Sequence, residues 1–320
     1  MYDRRKFLKL ACTAAFTGLG ASVPVGAQTQ RATKLLLIHG RAQQGLNPDK
    51  LKAEWMATLT RGASQIGATV PSCIDVEFPF YGDKLDELTR AADVPLTSAA
   101  RPRGQVDNEF LEFQANFAEE VRKGAGVTDE EVEVQYGNNP EPRGPQNWAW
   151  VQAILRAIDE HGGFMKQVTL ELITRDVFLY TTRAGVRDQI DAIVAAKLTE
   201  EPTVVVGHSL GSVVAYSILS SDRRRLRVPL LVTVGCPLAI RAVRNQYRPL
   251  ASPAPVGAWY NAYDPHDVVA LYPLDANNFP INPPVTNYGK VNNRSEDHHA
   301  IDSYLDDRDV AKHILDALEC

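Results

Sequence analysis

Two hydrophobic patterns alternate along this chain. In the first, apolar residues run without interruption, as in Lys34-Leu35-Leu36-Leu37-Ile38, Thr203-Val204-Val205-Val206 and Pro229 to Gly235. Short, branched, unbroken runs fit strands covered on both faces, as in a parallel sheet. Ile74-Asp75-Val76-Glu77-Phe78 alternates instead and reads as a second strand, and Gly257 to Tyr263 and Thr286 to Val291 read as two later ones. In the second pattern, apolar residues recur every three or four positions. Leu51, Trp55, Leu59 and Ile66 do so after Asn47-Pro48-Asp49, where an early proline suits a helix start. Val186, Ile190, Ile193 and Val194 do so between Arg183 and Lys197. Val310, Ile314 and Leu318 form a closing helix started by Asp306 or Asp307. Strands alternating with helices predict an α/β fold, a mostly parallel sheet with helices on both faces.

The strand pattern lapses between about Lys84 and Thr182. Phe110, Phe113, Phe117 and Val121 recur at helical spacing there, as do apolar positions from Trp148 to Ile158 and from Met165 to Tyr180. So much helix and loop exceeds one crossover, and predicts an inserted helical cap over about 84–182, of the kind that lines a ligand pocket. Phe78-Pro79-Phe80-Tyr81, just before it, is expected to plug the core.

The third strand ends in Gly207-His208-Ser209-Leu210-Gly211, and a helix-like run from Val213 to Leu219 follows. This is G-x-S-x-G at a strand-to-helix turn. A serine hydroxyl is a weak nucleophile, so it must stand clear of the sheet beside a base. Glycine is required on both sides because the turn is tight. The turn also sets the N–H of Leu210 at a helix N-terminus, aimed where an oxyanion develops. His208 is expected to pack away from Ser209. His39-Gly40-Arg41 ends the first strand, at the sheet edge where open α/β folds bind ligands, and the N–H of Arg41 is a second candidate oxyanion donor. Asp264 and Asp267 follow the fifth strand, and the adjacent pair His298 and His299 follows the last. Asp267, beside Val268-Val269, and His299, beside Ala300-Ile301, are preferred, with Asp264 and His298 as alternates. His161, His266 and His313 read as surface residues.

Composition changes this picture little. The chain has 320 residues, with 23% charged and 44% hydrophobic, and is long enough for one large α/β domain or two small ones. The formal net charge is −5 and no basic, aromatic-rich patch occurs, which argues against a nucleic-acid partner. No later stretch is apolar enough to cross a membrane. The four cysteines, Cys12, Cys73, Cys236 and Cys320, show no paired spacing; neither a disulfide scaffold nor a metal site is expected, and no cofactor is implied.

The N-terminus carries a targeting pattern. Arg4-Arg5-Lys6-Phe7-Leu8-Lys9 resembles the twin-arginine consensus, an Ala/Gly-rich run follows from Leu10 to Val23, and Val25-Gly26-Ala27 offers a cleavage site. Residues 1–27 are therefore expected to be a twin-arginine signal peptide. The export machinery is then a partner, and the remaining chain is periplasmic or secreted, without a transmembrane anchor.

From Lys34 onward, Leu37-Ile38-His39-Gly40-Arg41, the elbow, Gly235-Cys236-Pro237-Leu238, Tyr263-Asp264-Pro265-His266-Asp267-Val268-Val269 and His298-His299 together resemble the α/β-hydrolase superfamily. The order Ser209, Asp267, His299 is the order of nucleophile, acid and histidine in that superfamily. The lipase-like serine esterases are the nearest likeness. The resemblance implies a hydrolase domain over 28–320 that cleaves small-molecule or lipid carboxylic esters through an acyl-enzyme. Ser209 is then the nucleophile, His299 the base and Asp267 its orienting acid, with Leu210 and Arg41 forming the oxyanion hole. Peptidase, thioesterase and acyltransferase chemistry would use the same parts, and a non-catalytic binding protein of this fold is the alternative of another class.

Overall fold

The computed structural model describes residues 31–96, 98, 108–161, 165–296 and 298–319, so the signal-like segment 1–27 lies outside the described residues. Six strands form one all-parallel sheet: β1 (Lys34–Ile38), β2 (Asp75–Glu77), β3 (Thr203–His208), β4 (Val228–Val234), β5 (Val256–Ala262) and β6 (Thr286–Tyr288). Their spatial order is β2-β1-β3-β4-β5-β6. From β1 the chain turns one way to β2 and the other way to β3. The β1/β3 boundary is thus the switch point, where the carboxyl ends of an open parallel sheet leave a crevice.

Among the described residues there are eleven α-helices: α1 (Pro48–Ser64), α2 (Gly82–Ala91), α3 (Asn108–Gly124), α4 (Asp129–Tyr136), α5 (Trp148–Glu160), α6 (Gln167–Thr182), α7 (Ala184–Ala195), α8 (Leu210–Ser221), α9 (Arg241–Arg244), α10 (Ile301–Leu305) and α11 (Arg308–Asp316). Strand residues alternate between two cores. Leu35, Leu37, Val204 and Val206 join α1, α10 and α11 on one face. Leu36, Ile38, Val205 and Leu231 join α2 to α9 on the other. Both faces are covered, which is why the strands read as unbroken apolar runs. Register across β4 to β6 is pinned by a buried polar chain. Trp259 Nε1 donates to Thr233 Oγ1 at 2.9 Å, Thr233 Oγ1 to Asn261 Oδ1 at 2.8 Å, and Asn261 Nδ2 to Asn287 Oδ1 at 3.0 Å.

Several elements differ from expectation. Just after residues 78–81 the chain enters α2 at Gly82, with Leu85 buried on its inner side. Helix α4 was not foreseen, although Thr128 and Glu131 form a capping box at its start. That pattern is visible in the sequence but precedes only eight residues with little apolar periodicity. β6 is three residues long rather than six. Cys73 is disulfide-bonded and Cys236 is free and buried, states that the cysteine spacing does not encode. His313 is not a free surface residue: its ring stacks on Tyr260 at 3.8 Å. No helix is long and apolar enough to cross a membrane among the described residues.

Candidate active site

The site begins with backbone. Ser209 sits between β3 and α8 with φ 54° and ψ −124°, a left-handed conformation costly to a side-chain-bearing residue. Its amide is held by Val234 O at 3.0 Å. The flanking glycines are needed for space. A Cβ on Gly211 would lie 2.2 Å from Ile38 O, and one on Gly207 2.7 Å from Gly211 O. Gly40 also comes close, since a Cβ there would meet the Ser209 Cβ at 3.0 Å. The elbow helix is thereby pressed against the end of β1, and Ser209 stands at the switch point.

Ser209, His299 and Asp267 form one hydrogen-bonded line. His299 Nε2 lies 2.8 Å from Ser209 Oγ, and His299 Nδ1 lies 2.7 Å from Asp267 Oδ2. Asp267 is fully buried and is fixed by two more donors, Tyr304 Oη to Oδ2 at 2.6 Å and Val269 N to Oδ1 at 2.9 Å. With Asp267 ionised, Nδ1 must carry the proton and Nε2 is left to accept from the serine. Gly235, at φ 56°, lets the backbone pass beneath this pair; a Cβ there would meet His299 Cε1 at 3.0 Å.

Two supporting residues escaped the sequence. Tyr304, in the short helix α10, is buried, and burial together with the Asp267 charge keeps its phenol protonated, hence a donor. An interior aromatic in a five-residue helix carries no sequence signal. His208 was expected only to pack. Its Nε2 instead lies 2.8 Å from the carbonyl of His299, and burial pushes its pKa down to about 3. It is therefore neutral and donates from Nε2, steadying the loop that presents His299.

At the expected oxyanion positions, the N–H groups of Arg41 and Leu210 have no acceptor among the described residues. The Arg41 side chain turns elsewhere: its Nε donates to Asp176 Oδ2 at 2.9 Å, tying the loop after β1 to α6. Burial raises the Asp176 pKa, and Arg41 opposes that rise. Behind the loop, His39 is buried and stacked on Tyr81 at 4.0 Å, and burial lowers its pKa to about 4.

No model of a known protein family matches the chain, and no curated protein resembles it in sequence. The site therefore stands on its own geometry.

The alternates Asp264 and His298 are not in the line. Asp264 accepts from Asn293 N at 2.6 Å and from His266 N at 2.7 Å, and His298 Nδ1 lies 2.9 Å from Asn293 O. Cys236, also nearby in sequence to Gly235, is buried, and burial pushes its thiol up to about 12, so it offers no nucleophile.

Proposed function

We propose that the protein is a serine hydrolase of carboxylic esters, built on an α/β-hydrolase fold of the lipase-like kind, with α2 to α6 as its cap. The observation that carries this reading is the unbroken line Ser209–His299–Asp267, set on a strained elbow at the switch point. Ser209 Oγ attacks the acyl carbonyl while its proton passes to His299 Nε2. The tetrahedral oxyanion is received by the N–H groups of Leu210 and Arg41. Collapse breaks the ester C–O bond, and His299 returns the proton to the departing alcohol. Water then repeats the sequence on the acyl-enzyme and frees the acid. Asp267 holds the imidazole tautomer and balances the imidazolium.

A fluorophosphonate probe and a series of nitrophenyl esters of rising chain length test this together. Labelling of Ser209, with ester hydrolysis lost by about 10⁴-fold or more in Ser209→Ala, is expected. A folded protein that neither labels nor hydrolyses any ester is a binding protein. Labelling without ester turnover moves the reaction to amides or thioesters.

We infer also that residues 1–27 direct export by the twin-arginine route. Cell fractionation of the Arg4→Lys, Arg5→Lys double variant is expected to find it retained in the cytoplasm. Export of that variant at the wild-type level would remove the pair from the targeting signal.

A further inference from the structure

Asp264, His266 and His298 offer one ligand atom each, and these atoms all lie within 4.8 Å of one another. Neither of the first and last belongs to the Ser209 line, although both stand beside its members in sequence. His266 Nδ1 lies 3.0 Å from Asp264 Oδ1, and His298 Nδ1 lies 3.6 Å from Asp264 Oδ2. Around a zinc ion with bonds of about 2.0–2.1 Å, the corners of a tetrahedron stand roughly 3.3 Å apart, and each imidazole nitrogen lies near that spacing from one oxygen of the Asp264 carboxylate, His266 from Oδ1 and His298 from Oδ2. The two imidazole centroids are 5.3 Å apart. Rings that share one tetrahedral ion through a nitrogen have centroids separated by about 5 Å, from the same bond lengths. The carbonyl of Asn293 lies 2.9 Å from His298 Nδ1 and offers a fourth donor.

The electrostatics and access suit a cation. Asp264 is buried, while His266 and His298 are 63% and 32% exposed in their side chains, so solvent reaches the ligands from one side. Two imidazoles and one carboxylate suit a borderline divalent ion such as Zn²⁺ rather than Ca²⁺ or Mg²⁺, which prefer all-oxygen shells. His298 is moreover held at φ 54°, an unfavourable backbone for a histidine, and this conformation turns it to the cluster while His299 faces Ser209.

We propose that Asp264, His266 and His298 form a zinc site that clasps the loop after β5, which carries Asp267, to the loop before α10, which carries His299. On binding, each imidazole gives a deprotonated Nδ1 to the metal and keeps its one ring proton on Nε2. The hydrogen bonds that Nδ1 of His266 and of His298 make in the metal-free protein are exchanged for metal bonds. The role of the clasp in catalysis rests on the hydrolase reading; the ion site itself does not.

Isothermal calorimetry with zinc chloride on the full chain tests the site without any substrate. One equivalent is expected to bind. His266→Gln and His298→Gln are each expected to weaken binding by more than the about 10–100-fold that loss of an outer-shell partner costs. Ser209→Ala is expected to bind zinc as the wild type does. Zinc should also raise the melting temperature of the wild type and not that of His266→Gln. His266 is exposed enough for its substitution to leave the fold intact, and His299→Gln, expected to bind zinc as the wild type does, separates this site from one built on His299. Failure to bind zinc, wild-type binding by His266→Gln or His298→Gln, or loss of binding in His299→Gln would each overturn the proposal. None of these results bears on whether Ser209 reacts with a fluorophosphonate.

Discussion

Asp267 accepts three hydrogen bonds inside the fold, and each donor has a different task. The His299 Nδ1–H bond sets the imidazole tautomer. The Val269 amide sets the turn. The Tyr304 hydroxyl is the one whose loss leaves the chain's shape unchanged, because phenylalanine fills nearly the same volume. Without it Asp267 rests on two donors, and its rotamer about the His299 contact loosens. Tyr304→Phe is expected to lower kcat for a nitrophenyl ester by roughly 10-fold, since a buried neutral-to-charged hydrogen bond contributes about 1.5–3 kcal/mol, only part of it specific to the transition state. KM should hardly move. A variant with unchanged kcat would mean that the tyrosine only fills space, and a variant that fails to label with fluorophosphonate would mean that it does more than steady the acid.

At the scale of elements, the meeting of β1, β3 and α8 decides where Ser209 stands. The helix start approaches so near that a Cβ on Gly211 would meet Ile38 O at 2.2 Å and His39 O at 2.6 Å, both backbone atoms that cannot swing aside. Gly211→Ala must push α8 away from β1. The expected cost is about 3 kcal/mol or more, at or beyond the upper end for overpacked cores, and thermal unfolding measures it. A melting temperature within a degree of wild type would show that the elbow is not closed by this contact. The same elements explain what could be read from the chain alone. β1, β3 and β4 are covered on both faces, so burial demands apolar residues at every position and the strands declare themselves. The elbow declares itself because its glycines are dictated by contact. Ser209, Asp267 and His299 could be named because each follows a strand at its carboxyl end. The neighbours that support them could not. Tyr304 reaches the site from α10, Asp176 from α6, and the Asp264–His266–His298 cluster from two loops, and nothing in local periodicity encodes these meetings. Helices α2 and α4 were hidden for a plainer reason, being short and opened by residues that serve turns equally well.

Across the whole molecule, buried titratable groups tie stability to pH. His39 and His208 are held neutral by burial, with pKa values lowered to about 4 and about 3. Their unfolded values lie near about 6.5, so the stability that comes with burying them neutral is complete above that pH and is lost as pH falls toward their folded values. Asp191, between α7 and α6, acts in the opposite sense. Burial raises its pKa to about 6, and the hydrogen bond it accepts from the Tyr180 hydroxyl offsets only part of that rise. A raised acid contributes stability below its unfolded pKa of about 3.9 and loses it as pH rises through about 6. Above that pH the fold carries a partly desolvated carboxylate. Asp191→Asn keeps an oxygen to accept from Tyr180 and removes the charge. The variant is therefore expected to melt at the wild-type temperature near pH 4 and several degrees higher near pH 8, where the penalty is fully present. Melting curves at the two pH values decide it. Equal temperatures at pH 8 would mean that water reaches the carboxylate and no charge is buried there. A variant less stable at both would mean that the Tyr180 contact needs the ionised form.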